Sequence, residues 1–194
     1  MTALPHRQLM SVEEYFQLEQ GSTDARYEYI DGYAHMLAGG SADHSTIKQN
    51  VLLALKLALR GTPCRVYDAD MKARLSEERY VLPDASVSCN PHDRGKVTTI
   101  QSPCLIVEVL SPGTEAYDRG RKFHYYQDCR TIEEYVLIDT YRQAVEVFRR
   151  EKNHFWTYAL FTDGDQVELR SIGIKIPVAD VYEDVVFVED DERH

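Results

Sequence analysis

Asp84, preceded by Pro83, and Glu108, at the end of the apolar run Leu105-Ile106-Val107-Glu108-Val109-Leu110, are two carboxylates placed where a sequence should be building strands. Lys122 follows within the next segment. Two carboxylates and an ammonium are what a metal-dependent phosphodiesterase needs. The carboxylates supply oxygen ligands for a hard divalent cation, and the ammonium a positive group beside the attacking water. A carboxylate in a buried strand must be paired, protonated or metal-bound to offset its desolvation, so Glu108 is the strongest candidate of the three. Asp84 also fits a turn or strand entry, because Pro-Asp suits such positions. Lys122 also fits an exposed helix position bridged to Asp118 at i, i+4. Ser111 lacks the Gly-x-Ser-x-Gly elbow of a serine nucleophile, and His44 reads as a capping or surface residue at a helix start.

The elements that must position these groups are legible in the hydrophobic pattern. Ser11 and Glu14 form a capping box ahead of Val12, Tyr15, Phe16 and Leu18, which predicts a helix over 12–20 ended by Gly21. Asp31-Gly32 between 26–30 and 33–37 predicts a two-residue hairpin. Ile47, Val51, Leu55 and Leu59 recur every four residues and predict a helix over 45–60. Further strands are expected at 65–67, 71–75, 85–89, 104–109 and 134–138, then in an antiparallel run around Val145, Thr157 and Val167 with turns at Lys152-Asn153 and Asp163-Gly164. A third helix is expected over 114–129, and the polar stretch 90–102 reads as a mobile loop. This order implies an α/β (α+β) fold with a mixed central sheet and helices packed on it.

The chain has 194 residues, fitting a single domain over 1–188 followed by an acidic tail at 189–194. With 43% hydrophobic and 28% charged residues, it has the composition of a globular protein rather than a disordered one. No stretch approaches the roughly 20 apolar residues of a membrane span, and residues 1–10 lack the basic start and apolar run of a signal peptide. The expectation is a cytoplasmic protein without membrane contact. Cys64, Cys89, Cys104 and Cys129 are too dispersed for a Cys-x-x-Cys metal site and are expected to be reduced, mostly buried thiols. A net charge of −10 argues against nucleic-acid binding, although Arg119, Arg121 and Lys122 cluster beside the candidate site.

The chain resembles the Uma-two (Uma2) family of restriction-endonuclease-like proteins in the PD-(D/E)xK nuclease superfamily. The likeness runs from about Ser11 to Phe187. It rests on Tyr27-Glu28-Tyr29-Ile30-Asp31-Gly32, Leu82-Pro83-Asp84, Val107-Glu108-Val109-Leu110-Ser111-Pro112, Asp118-Arg119-Gly120-Arg121-Lys122 and Ile132-Glu133-Glu134-Tyr135. The resemblance implies a restriction-endonuclease-like core and carries catalytic positions onto Glu28, Asp84, Glu108 and Lys122. Asp84 and Glu108 would be the metal ligands, joined by the Val109 carbonyl. It implies Mg2+ or Mn2+ as cofactor, DNA as substrate and a homodimer. Glu28 alone would read as a strand residue paired with Arg26 or with a neighbouring strand. The superfamily pattern puts its lysine two residues after the second acid, where this chain has Leu110, and Lys122 on the following helix is the nearest replacement. The competing expectation is a non-catalytic dimeric interaction module that keeps the nuclease fold, with hydrolysis of a different phosphoester as a third.

Overall fold

The computed structural model describes residues 9–37, 39–152 and 155–187. The acidic run at 189–194 and Asn153 of the expected turn lie outside the described residues. Helix α1 (Val12–Gly21) opens with the capping box: Glu14 N–H donates to Ser11 Oγ at 3.2 Å, and Ser11 N–H donates to the Glu14 carboxylate at 2.6 Å. It is followed by the hairpin of β1 (Tyr27–Ile30) and β2 (Tyr33–Met36). Asp31 and Gly32 carry φ of 48° and 90°, the left-handed pair that matches the twist of a two-residue hairpin. Helix α2 (Ala42–Ala58) begins three residues before the expected start, because Ser41 Oγ accepts the His44 N–H and caps it.

Strands β3 (Arg65–Asp68), β4 (Lys72–Ser76), β5 (Arg79–Val81), β6 (Ala85–Ser88), β7 (Thr99–Ile100) and β8 (Leu105–Val109) follow. Beyond them come β9 (Glu134–Ile138), β10 (Ala144–Arg150), β11 (Trp156–Thr162), β12 (Gln166–Leu169), β13 (Ile174–Pro177) and the single turn α5 (Val178–Val181). They form a five-stranded sheet ordered β2-β1-β5-β4-β7, a six-stranded sheet ordered β11-β10-β9-β8-β6-β3 and the β12-β13 pair. The six-stranded sheet is mixed, with β8 and β9 parallel and the other neighbours antiparallel. The mixed sheet expected from the pattern is present as this six-stranded sheet, and the five-stranded sheet, in which β4 and β7 run parallel, is a second mixed sheet beside it. No helix among the described residues is long and apolar enough to cross a membrane.

The parallel β8/β9 pair needs a crossover, and the helical segment after β8 provides it. α3 (Glu115–Tyr117) runs into a π-helical turn at Asp118–Lys122, which continues as α4 (Phe123–Asp128). Strand β8 is buried along its whole length and divides its side chains between two cores. Leu105, Val107 and Val109 join Ile47, Val51 and Leu55 of α2, whereas Ile106 joins Tyr126, Tyr135, Ile30, Ala73 and Val81. The second core fills the space between the two larger sheets, and the period-two alternation points Glu108 into it.

Two local expectations are corrected. Residues 90–102 are anchored rather than loose. A 3-10 turn at Pro91–Asp93 buries the Asp93 carboxylate, which accepts from Ser88 Oγ at 2.6 Å, Gln101 N–H at 2.7 Å and Ser102 N–H at 3.0 Å. A polar composition hid this anchor, since one buried carboxylate, with the buried Ile100 of β7, can fix a segment that has few apolar side chains. Asp93→Ala strips three donors of their acceptor and is expected to lower unfolding free energy by about 3 kcal/mol in urea titration. A loss under about 0.5 kcal/mol would mean the segment is not held by this residue. Cys64 and Cys89, expected as thiols, form a disulfide, while Cys104 and Cys129 are free. Pairing of Arg65 with Ser88 across β3 and β6 sets residues 64 and 89 opposite each other, a long-range register that spacing alone does not reveal.

Candidate active site

Glu28 lies on β1, where alternation sends Tyr29 toward Tyr15 and Tyr80 while Ile30 joins the core between the sheets. Glu28 itself is 2% exposed, and its Oε1 accepts the Leu82 N–H at 3.0 Å. Asp84 immediately precedes β6. Ala85 pairs with Val107, so Asp84 sits beside Glu108 on the adjoining strand. Its Oδ2 accepts the Val109 N–H at 2.9 Å and stands 3.4 Å from His44 Nε2.

Lys122 joins the two sheets at this point. Its Nζ is 2.8 Å from Glu108 Oε1, 3.0 Å from Glu28 Oε1 and 3.8 Å from Asp118 Oδ1. Tyr126, one turn further on, donates its hydroxyl to the same Glu108 oxygen at 2.6 Å. Asp118 and Lys122, four residues apart on this helical turn, share its inner side as i and i+4 do in an ordinary helix, and both are buried. Arg119 reaches away to Glu146 and Glu115, and Arg121 remains exposed. The residues Glu28, Asp84, Glu108 and Lys122, taken from four separate segments, are thus brought together. Lys122, on the helical segment that follows β8, meets the Glu108 carboxylate directly.

The electrostatics follow from several carboxylates facing one ammonium. Burial alone would lower Lys122, but the charges of Glu108, Glu28 and Asp118 more than reverse this and hold it well above its usual value. Burial pushes Glu108 up to about 8; Lys122 pulls it down, and Asp118, Asp84 and Glu28 add to the rise. Asp118 is raised for the same main reason, burial. Asp84 is also desolvated, yet the hydrogen bond and charge of His44, the Val109 N–H and Lys122 carry it below the usual carboxylate range. One fixed positive charge therefore leaves the cluster with surplus negative charge, and Glu108 is where a proton resides near neutrality. Among the described residues, no three His, Cys, Asp or Glu side chains are already gathered as a metal-ligand set.

Three participants were missed or misread in the sequence. His44, read as a capping or surface residue, does have its backbone capped but also turns its ring onto Asp84. A Cβ on Gly40 would come within 2.6 Å of His44 Nδ1, so glycine leaves room for the imidazole. Asp118 was read as an i, i+4 partner of Lys122, which it is, but inside the protein rather than at its surface. Tyr126 lies within the helix expected over 114–129, whose pattern does not reveal that its ring lies in the core while its hydroxyl bonds Glu108.

Both the sequence and the fold have counterparts among known proteins. The family model Uma2, described as "Putative restriction endonuclease", matches residues 12–179. The uncharacterized protein slr1290 of Synechocystis is 35% identical over 179 residues, covering 92% of this chain and 94% of that protein. The uncharacterized protein sll1609 of the same organism is 28% identical over 182 residues, covering 91% of this chain and all of its own length. A crystal structure from Anabaena variabilis, titled as a "putative nuclease belonging to DUF820", superposes with a TM-score of 0.73 at 18% identity. It covers 89% of this chain and 97% of its own, so the fold is shared across nearly the whole length.

Proposed function

The chain belongs to the Uma2 family, and from that premise we propose that it is a metal-dependent endonuclease hydrolysing phosphodiester bonds in DNA. The observation that carries the reading is Lys122 Nζ bridging Glu108 and Glu28 beside Asp84. A lysine moved twelve positions beyond the usual place supplies the same charge at the same strand acid.

The donor set fits Mg2+ or Mn2+: it is made of carboxylate oxygens, it carries more negative charge than Lys122 neutralises, and Asp84 and Glu108 stand on paired segments. Asp84 and Glu108 would hold the ion, and the second oxygen of Glu108 takes part in neither the Lys122 nor the Tyr126 bond. The cation would polarise the phosphate and acidify a bound water. Lys122 remains charged through neutrality, so it acts as a donor that orients the water or stabilises charge developing on the phosphate, not as a base. Glu28 and Asp118 hold the ammonium in place, Tyr126 fixes the Glu108 carboxylate, and His44 does the same for Asp84. Each positioning contact lowers the reorganisation needed when substrate arrives.

The net charge of −10 favours a second reading, a non-catalytic interaction module on the same scaffold. Incubation of the protein with single-stranded, double-stranded and branched DNA, each with Mg2+ or Mn2+, decides between them. The expected result is metal-dependent cleavage that EDTA stops. Intact DNA in every combination would remove the nuclease reading and leave the interaction module.

A further inference from the structure

Strand β11 closes one end of the six-stranded sheet and has a single strand neighbour, β10, with which it makes seven consecutive pairs from Ala144↔Thr162 to Arg150↔Trp156 without a bulge. Such an edge presents a row of ladder groups to any other strand, and proteins ordinarily blunt it with charges, proline, a bulge or shortness. The opposite edge, β3, is four residues long and begins and ends on the charged Arg65 and Asp68. β11 has none of these devices. From Phe155 to Thr162 the sequence reads Phe-Trp-Thr-Tyr-Ala-Leu-Phe-Thr, with no charge, proline or glycine, in a chain where 28% of residues are charged. Phe155, Tyr158 and Leu160 are 70%, 56% and 46% exposed.

We infer that β11 pairs antiparallel with β11 of a second copy of this chain, about a two-fold axis at Ala159, joining the two six-stranded sheets edge to edge. Two observations favour a second copy as the occupant. Each copy carries a net charge of −10 and repels the other over most of its surface, whereas strand-to-strand contact here sets no like charges opposite each other. The segment is also self-complementary about Ala159. Tyr158 of one copy falls opposite Leu160 of the other, twice over; Thr157 falls opposite Phe161; and the small Ala159 meets its own mate at the axis. The exposed Tyr158 and Leu160 thus cover one another.

Sedimentation at micromolar concentration is expected to give about twice the 22.4 kDa of one chain. Leu160→Lys introduces the charge that edge strands normally carry and is expected to halve the mass. Its solvent-facing position leaves the melting curve of the protomer cooperative and its far-UV spectrum unchanged. Ala159→Cys is expected to give a covalent dimer on mild oxidation, and Leu53→Cys, at an exposed position on α2, is not. A wild-type protein sedimenting only at 22.4 kDa would overturn the inference, as would a dimer that survives Leu160→Lys or an Ala159→Cys variant that cross-links no better than Leu53→Cys.

Discussion

Replacing Lys122 with methionine is expected to cost about 3–5 kcal/mol of unfolding free energy at pH 8, the scale for removing one partner of a buried ion pair. Methionine keeps the length and most of the volume, so the loss is chiefly electrostatic. Glu108, Glu28 and Asp118 are left facing one another without the ammonium that now lies 2.8–3.8 Å from them. The deficit has a definite pH dependence. Without Lys122 the pKa values of Glu108 and Asp118 rise further, so above the unfolded values the folded variant holds protons that the unfolded chain has released. Stability of the variant therefore falls as pH climbs from about 4.5 toward the raised values. In the wild type Lys122 is raised, so its contribution is complete below about 10.5 and is lost only above that. Urea denaturation at pH 4.5 and pH 8 should show a small difference between the proteins at the first and a large one at the second. Equal losses at both values would assign the effect to packing. Under the nuclease reading the same substitution removes the donor to water or phosphate, and cleavage is expected to drop by about 10²–10³ or more.

The contrast between what could and could not be read in the chain follows from the range of the interactions. Glu108 was legible because a charge inside an apolar strand contradicts its local setting, and that conflict is visible within six residues. Asp84 and Lys122 gained meaning only when set beside it as a second carboxylate and an ammonium, and Glu28 rested on the family resemblance alone. The geometry that gives Glu28 a role, its contacts with Leu82 N–H and Lys122, depends on two sheets meeting, and a strand carries no local mark of what faces it. The π turn at Asp118–Lys122 was likewise hidden inside an apparently continuous helix over 114–129, because nothing in Asp-Arg-Gly-Arg-Lys distinguishes an i, i+5 ladder from an i, i+4 one. β5, β7 and β13 escaped for a related reason. At two to four residues they are too short for alternation to register, and they exist by pairing with their neighbours. Helix α2 and the β1-β2 hairpin lie at the other extreme, where a sustained four-residue repeat and an Asp-Gly turn settle the element locally.

Glu108→Gln is expected to separate a working metal site from an inherited scaffold. At a concentration 100 times its Kd, a cation that binds only the folded state stabilises it by about 2.7 kcal/mol, which in a chain of this size raises Tm by roughly 5–11 °C. Binding requires Glu108 as carboxylate, and burial holds that group at about 8, so the cation must displace a proton at neutral pH. The Mn2+-induced rise in Tm should therefore be larger at pH 8.5 than at pH 6.5, with proton release on titration at the lower value. Glutamine preserves shape and can still accept from Lys122 and Tyr126, but it removes one charge from a cluster that already has too many. The metal-free variant is expected to gain on wild type as pH climbs from about 4.5 to about 8, the window in which folded Glu108 keeps a proton that the unfolded chain has released, and to be at least as stable from there upward. It should lose most of the Mn2+ response and all detectable cleavage. If Mn2+ raises the Tm of both proteins equally at both pH values, Glu108 is not a ligand, and the proposed chemistry then has no support beyond family membership and the position of Lys122.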